Sequence, residues 1–263
     1  MTATDWTLVA ATNNEILLKS CLLSSPDICS GTQVILQRGY HNAAEAYNAA
    51  ILMAKTDLLI FAHQDVYFPA GWLNKVQNSI DVLSKIDPNW GVLGIIGRRD
   101  SGAVVGFMYD GTCKTVLGNE FDGGREVKSL DEVVLILRKS SGLLFDPRIG
   151  GFHMYGTDIC LEARRQGKKC YAIAAFCIHN TNEYWMLPWQ FWICYLAMRR
   201  KWRPQLPIKT MCTEITYWCW PMVRWNLVRA INLVTGRDKP PNKRVENPQK
   251  LCQEVLISRS IVG

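Results

Sequence analysis

Residues 57–68 read DLLIFAHQDVYF, and the rest of the chain is organised around this stretch. The apolar run Leu58–Ala62 is bounded by polar residues, which predicts a short buried strand. The run leads into His63, Gln64 and Asp65, and ligands of open α/β sheets bind just outside the carboxyl ends of the strands. A carboxylate beside an imidazole at such a place suits a divalent cation that holds a diphosphate. The alternative interpretation is that these residues begin a surface loop.

Length and composition favour one large α/β domain with an appendage in a chain of 263 residues, 48% of them hydrophobic and 20% charged. The first residues lack the pattern of a signal peptide, and the apolar stretch 184–198 is too short to span a bilayer. None of the ten cysteines forms a CxxC pair, and Cys160, Cys177 and Cys194 lie inside apolar patterns. We therefore expect a cytoplasmic protein with reduced core cysteines and no structural zinc site.

Charge and tryptophan are concentrated near the carboxyl terminus. Residues 1–198 carry 17 Lys and Arg against 19 Asp and Glu, whereas residues 199–263 carry 13 against 4. Seven of the ten tryptophans fall between Trp185 and Trp225. This change in composition predicts a domain over residues 1–182 and a helical, aromatic and basic extension over residues 183–263.

Strand-like runs alternate with helical patterns of about 10 to 15 residues, which predicts βαβ units and a mostly parallel sheet with flanking helices. Asn42 and Glu45 have the spacing of a capping box and open an Ala-rich helix. The predicted strands besides the central one are Trp6–Ala11, Thr32–Leu36, Gly91–Gly97, Val133–Leu137 and Tyr171–Ile178.

The order of these motifs resembles that of bacterial family 2-like glycosyltransferases of the GT-A fold, in the branch whose metal motif reads His-Gln-Asp. The resemblance covers residues 6–182 and not the tail. The residues that carry it are Ala46–Leu73, Gly91–Gly97, Ser129–Asp146, Phe152–Lys169 and His179.

The resemblance implies inverting transfer of a sugar from a nucleotide-sugar donor to an acceptor hydroxyl on a glycan or lipid-linked glycan, as in cell-surface polysaccharide synthesis. By matching the family's motifs, Asp65 and His179 would bind Mn²⁺ or Mg²⁺, and a ligand set with imidazole favours Mn²⁺. Asp158 matches the catalytic base. His179 could instead cap a strand, and a carboxylate in the first helical turn, such as Asp158, is stabilised by the helix dipole in any case. His63 stands where the fuller motif has Asp.

Further residues are candidates for donor and acceptor contacts. Each of them also has a structural interpretation. Asn13 could equally form an ordinary turn, and Asp131 and Glu132 could form a solvated turn. The two acceptor candidates named below could instead be core residues. The nucleotide or donor candidates are Thr12, Asn13, Gln37, Asn48, His63, Gln64 and Asp131, and the acceptor candidates are His153 and Tyr155.

The tail has apolar residues at helical spacing that run directly into a group of cations. This arrangement suits a helix at an anionic membrane surface, which would place the protein on the inner face of the membrane. The residues are Trp185, Trp189, Trp192 and Leu196, followed by Arg199, Arg200, Lys201 and Arg203. Alternatively, the aromatic side chains pack on the domain. No nucleic-acid-binding motif accompanies the basic tail, so we expect no nucleic-acid partner. A catalytically silent domain that binds nucleotide or glycan is the alternative function.

Overall fold

The computed structural model describes residues 5–28, 32–182, 189–237 and 243–260. The strands in these ranges are β1 (Trp6–Ala11), β2 (Gln33–Gln37), β3 (Leu58–Ala62), β4 (Val66–Tyr67), β5 (Val92–Gly94), β6 (Ile96–Arg98), β7 (Val104–Asp110), β8 (Thr115–Gly118), β9 (Gly124–Val127), β10 (Ser129–Leu130), β11 (Val134–Arg138), β12 (Cys170–Ile173), β13 (Ile178–His179), β14 (Ile208–Lys209) and β15 (Glu214–Ile215). The α-helices are α1 (Glu15–Ser20), α2 (Ala43–Met53), α3 (Trp72–Ser84), α4 (Tyr155–Arg165), α5 (Trp189–Lys201), α6 (Trp220–Val234) and α7 (Pro248–Ser260).

The central sheet has the order β2-β1-β3-β11-β5-β12-β9 within the described residues. β1 pairs in parallel with both β2 and β3, and β5 pairs in parallel with β12. Only β11 and β9 run the other way, since β11 is antiparallel to β3 and β5 and β9 is antiparallel to β12. The predicted fold class, a mostly parallel α/β sheet with flanking helices and a helical carboxyl-terminal part, is confirmed.

Two segments that the sequence predicts as single strands are each divided between the central sheet and a second sheet. In the described chain its order is β10-β6-β7-β13-β4, with β8 paired to β7. Prediction of residues 91–97 as one strand is wrong, because the chain passes from the central sheet to the second sheet at Ile95. The main-chain oxygen of Ile95 accepts from Phe107, and a side chain on Gly106, which has φ +142, would collide with that oxygen. The segment 171–178 is divided in the same way between β12 and β13.

Helices cover both faces of the central sheet. Side chains from α1 and α3 pack on one face, and side chains from α2 and α4 pack on the other. The predicted start of α2 is confirmed, because the Asn42 side chain accepts from the main-chain N–H of Glu45 at 2.9 Å. The helices thereby fix the sheet and leave the carboxyl ends of β1 and β3 at one edge.

The tail packs against the domain through an apolar cluster. Phe191 and Tyr195 of α5 and Met222 of α6 share this cluster with Met154 and with Leu161 of α4. Cys252 of α7 packs on the second sheet. The predicted boundary near residue 183, together with Trp185, lies outside the described residues, so the division into two domains stays a prediction. No helix in the described ranges has both the length and the apolar character that crossing a bilayer requires.

Candidate metal and nucleotide site

Three potential metal ligands meet where the two sheets join. His63 and Asp65 follow β3, and the chain then enters β4, whose Val66 lies opposite His179 of β13. The main-chain oxygen of Asp65 accepts from Asn180 at 2.8 Å, which extends that pairing. As a result, one ligand atom from each of His63, Asp65 and His179 lies within 4.8 Å of the other two. Asp65 and His179, remote in the chain, therefore share one site, as the metal hypothesis requires.

Opposite charges face one another in this cluster. Nε2 of His179 lies 3.5 Å from Oδ1 of Asp65, and the Arg244 guanidinium lies 3.9 Å from Oδ2. Burial alone would raise the pKa of Asp65, but His179, His63 and Arg244 together hold that pKa below its ordinary value. Burial would lower the pKa of His179, but the Asp65 carboxylate raises it to about 9. The carboxylate is thus ionised at neutral pH and surrounded by positive charge.

Tyr155 orients the His63 ring. Its hydroxyl lies 3.0 Å from Nε2 of His63 and 3.3 Å from the main-chain oxygen of Glu132. The hydroxyl has one hydrogen to donate, and the tautomer of His63 decides whether that hydrogen goes to Nε2 or to Glu132. In either case the Tyr155 contact engages Nε2 of the ring. A hydrogen bond to one ring nitrogen is common around metal-binding imidazoles.

The donor set fits a divalent transition metal. Two imidazoles and one carboxylate converge, and ligand distances of about 2.1 Å place opposite ligands of one ion about 4 Å apart. Imidazole suits Mn²⁺ better than Mg²⁺, which prefers oxygen ligands. A cation would replace the proton that His179 shares with Asp65. The cluster can therefore hold one divalent ion.

Gln64 ties the end of β1 to the end of β3. Its side-chain oxygen accepts from the Thr12 hydroxyl at 2.7 Å and from the main-chain N–H groups of Asn13 and Asn14 at 3.1 and 3.0 Å. Its amide donates to Oδ1 of Asn13 at 2.7 Å. Three of the predicted nucleotide-binding residues, Thr12, Asn13 and Gln64, therefore lie together beside the candidate metal ligands. Their role in binding stays a prediction.

Two other nucleotide candidates bond to the main chain of the core. Gln37 is buried and donates to Ala46 of α2 at 3.0 Å. The Asn48 side chain donates to the main-chain oxygen of Phe145 at 2.8 Å and accepts from its N–H at 3.0 Å. In this arrangement both side chains hold α2 in place, and the structure does not bring them to the metal cluster. His153, an acceptor candidate, packs its ring against Phe191 of α5 at 5.3 Å between centroids.

Asp158, the predicted base, is buried beneath the end of α5. Only 2% of Asp158 is exposed, and its oxygens bond to Nζ of Lys201 at 2.8 and 2.9 Å and to the Trp202 indole N–H at 2.7 Å. Lys201 also contacts Asp146 at 2.8 Å. Burial raises the pKa of Asp158, although Lys201 and Trp202 oppose the rise. Both oxygens are therefore occupied by the tail, and the role of Asp158 as a base stays a prediction.

Glu132 is a second acid near the cluster. It is half-buried, and its Cγ approaches the start of α4 so closely that a Cβ on Gly156 would lie 3.3 Å from it. Burial and the neighbouring Asp131 raise the pKa of Glu132 to about 8, while the main-chain N–H groups of Gly156 and Met154 oppose the rise. Asp131, predicted to contact the donor, accepts from the N–H of Val133 at 3.0 Å and contributes negative charge near His179.

Sequence reasoning missed the contributions of Arg244 and Asn180 and the contact of Tyr155 with His63, while the role of Tyr155 at the acceptor stays a prediction. Arg244 donates to the main-chain oxygen of Asn180 at 3.2 Å, and the Asn180 side chain bonds to both the N–H and the oxygen of Val245. These bonds bring a basic residue of the tail to Asp65. The excess of cations in the tail was the one available signal for Arg244, and it did not indicate which cation reaches the site. No sequence pattern pointed to the bond between Tyr155 and His63.

Sequence comparison relates part of the chain to a known protein. No protein-family model matches the chain. A stretch of 121 residues is 33% identical to the protein described as "ATP synthase subunits region ORF 6" of Fuscovulum blasticum, and covers 44% of this chain and 48% of that protein. The chain thus spans about half the length of this curated relative.

Solved structures that match the chain include S. aureus TarS and a mannosyltransferase. S. aureus TarS 1-349 in complex with UDP-GlcNAc is 13% identical, with a TM-score of 0.49 over 75% of this chain and 65% of that chain. The mannosyltransferase PcManGT from Pyrobaculum calidifontis, in complex with GDP-Man and Mn²⁺, is 11% identical, with a TM-score of 0.46 over 87% of this chain and 80% of that chain. Identities of this size do not transfer an activity, so the function of this chain is inferred from its own site.

Proposed function

We propose that the chain is a glycosyltransferase that moves a sugar from a nucleotide-sugar donor to a hydroxyl group of a glycan or lipid-linked glycan. The observation that carries the proposal is the meeting of His63, Asp65 and His179 at the edge where β1 and β3 end. Breaking the bond to a nucleoside diphosphate requires that the developing charge of the leaving group be neutralised. The cluster supports this step because it can hold a divalent cation beside positively charged residues.

The residues around the cluster have separate roles in this proposal. A Mn²⁺ or Mg²⁺ ion bound there would neutralise the two phosphate groups of the donor. Arg244, 3.9 Å from Asp65, adds a further positive charge on the same side. Thr12, Asn13 and Gln64 line the adjacent strand end, where the nucleotide would lie. Tyr155 would support the His63 ring beside the ion through its contact with Nε2.

The proton of the acceptor hydroxyl needs a base, and two carboxylates are candidates. Asp158 is the base that the family resemblance implies, but it can accept a proton only after Lys201 and Trp202 move away. Glu132 is half-buried, and its raised pKa suits a base that works near neutral pH. Its main-chain oxygen also shares the Tyr155 hydroxyl with His63, which places the residue near the cluster. We propose a single in-line displacement with inversion, in which Glu132 is favoured over Asp158 in the arrangement described.

One observation favours the alternative function, a domain that binds nucleotide sugar without turning it over. The bonds of Lys201 and Trp202 to Asp158 occupy the carboxylate that the family resemblance makes catalytic. A chain that had lost transferase activity would have no need to keep that carboxylate accessible. Binding of donor without release of nucleoside diphosphate would support this alternative.

The test is a panel of UDP-, GDP- and dTDP-sugars with Mn²⁺, in which released nucleoside diphosphate is measured. We expect one nucleotide class to be cleaved, and Glu132→Gln to lower kcat by at least about 100-fold while donor binding is retained. Asp158→Asn, measured in parallel, separates the two candidate bases. The transferred sugar should have the opposite anomeric configuration to the donor, as judged by NMR. Retention of configuration, or cleavage unaffected in both variants, would contradict the proposed mechanism.

A further inference from the structure

The helix α6 exposes its apolar face, whereas an ordinary surface helix buries it. At 3.6 residues per turn, five apolar side chains fall on one face, within an arc of roughly 80°. These five side chains are 44 to 88% exposed: Trp220, Val223, Leu227, Ile231 and Val234. The opposite side of the helix carries Met222 and Arg229, which are both buried. The helix thus directs its apolar face away from the protein.

Exposing such an apolar face to water is unfavourable in free energy. Surface helices normally bury their apolar stripe against the core, and large contiguous apolar patches mark interaction sites. Two exposed aromatic residues come just before this helix, since Trp218 is 87% exposed and Tyr217 is 46% exposed. The segment is held in place by Arg199 of α5, whose Nε donates to the main-chain oxygen of Tyr217 at 2.9 Å. The apolar face is therefore presented by a helix anchored to the domain.

The charged side chains around α6 are mostly positive, which favours a negatively charged partner. Residues 217–237 contain Arg224, Arg229 and Arg237 and no acidic residue. Arg224 and Arg237 are exposed, as are Arg200 and Arg203 on the neighbouring segment. A symmetric contact between two copies of α6 would bring arginines together without a carboxylate from that segment to pair with them. An anionic lipid surface, in contrast, supplies the negative charge, and its hydrocarbon region accepts the apolar face.

We propose that α6 docks the protein on an anionic membrane surface, with Trp220, Leu227 and Ile231 inserted below the headgroups and Arg224 beside them. Trp218 and Trp220 lie at one end of the face, and indole rings favour the boundary between headgroups and acyl chains. This assignment places the contact on α6 rather than on the α5 tryptophans that the sequence predicts. It does not depend on sugar transfer, so either proposal can fail while the other holds.

The experiment is flotation of the full chain with vesicles of phosphatidylcholine containing phosphatidylglycerol, and with phosphatidylcholine vesicles alone. We expect binding to the anionic vesicles that weakens at high salt, because the arginine contribution is screened. The variant Leu227→Glu with Ile231→Glu should lower the partition coefficient by about 100-fold, because two aliphatic side chains no longer enter the hydrocarbon. The control is Leu52→Glu on α2, where the leucine is 79% exposed against 57% for Leu227, and this variant should bind as the wild type does.

Folding of each variant is checked by circular dichroism, and oligomeric state by light scattering. Wild-type tryptophan emission, quenched by lipids brominated on the acyl chain, gives a second measurement that requires no variant. The proposal is overturned if the wild type neither floats nor is quenched with anionic vesicles, or if the α6 variant floats as well as the wild type. A dimer that the α6 variant dissociates would assign the face to a second copy of the chain instead.

Discussion

Replacing Lys201 by Met tests whether the end of α5 neutralises a buried carboxylate. Nζ of Lys201 contacts Asp158 at 2.8 Å and Asp146 at 2.8 Å, and only 2% of the Asp158 side chain is exposed. Among the described residues, removal of the ammonium group leaves the buried Asp158 carboxylate with the Trp202 indole as its remaining side-chain hydrogen-bond partner. Breaking a buried pair on one side costs about 3–5 kcal/mol. For a chain of this size that loss lowers Tm by roughly 10 °C.

Urea denaturation at constant pH measures the loss, and the m-value checks that the unfolding transition is unchanged in extent. Lys201→Met with Asp158→Asn should recover much of the stability, since no unpaired charge remains, and the two changes should be non-additive. Lys201 lowers the pKa of Asp158, so that pKa rises further in Lys201→Met. Asp158 therefore becomes protonated more readily in the variant, and the loss of unfolding free energy relative to the wild type should become smaller as pH falls. The matched control is Arg165→Met, which breaks an exposed pair with Glu162 on the same helix and should cost far less. Equal losses for Lys201→Met and Arg165→Met, or strict additivity with Asp158→Asn, would refute this reasoning.

Three further changes separate the parts of the site. Tyr155→Phe removes the hydroxyl that orients His63 and should weaken Mn²⁺ binding by about 10-fold or more, as measured by calorimetric titration; unchanged affinity would remove Tyr155 from the site. Gln64→Ala frees Thr12 and Asn13 and should weaken nucleoside diphosphate binding about tenfold with Mn²⁺ affinity unchanged, and equal loss of both would contradict separate roles. Between pH 4.5 and about 8, folded Glu132 keeps a proton that the unfolded chain has released, so wild-type stability should fall with rising pH by up to about 1.4 kcal/mol per unit. Glu132→Gln should flatten that dependence in urea titrations, and parallel curves for the two proteins would count against the raised pKa.

Local patterns predicted the central sheet well, because each decisive element depends on residues close in sequence. Leu58–Ala62 is an apolar run of strand length, and it forms β3 with the predicted bounds. Asn42 caps α2 through Glu45, three residues away. The prediction of one strand over residues 91–97 was wrong because the residues on both sides of Ile95 are apolar, although they belong to different sheets. The transfer at Ile95 depends on the approach of Gly106, which is a tertiary contact.

The candidate site was predictable only where the strand ends supply it. His63, Gln64 and Asp65 follow a strand of the sheet, so their place at its carboxyl edge could be read from the sequence. Arg244 reaches Asp65 through the bonds of its segment to Asn180, 64 residues earlier, and no local pattern encodes that contact. In the same way, Lys201 and Asp158 are 43 residues apart in the chain, so the sequence did not predict that Lys201 covers the predicted base. Tertiary packing of the tail, rather than local propensity, decided both outcomes.

The central claim is that His63, Asp65 and His179 form one divalent metal site that serves a nucleoside diphosphate. Calorimetric titration of Mn²⁺, alone and with UDP or GDP present, tests it most directly. We predict one Mn²⁺ per chain, tighter with the matching nucleotide, no binding in Asp65→Asn or His179→Ala, and wild-type binding in Asp122→Asn, whose side chain is 90% exposed and pairs with Lys75. Mn²⁺ affinity in Asp65→Asn equal to that of the wild type, or no Mn²⁺ bound by the wild type with either nucleotide, would contradict the claim.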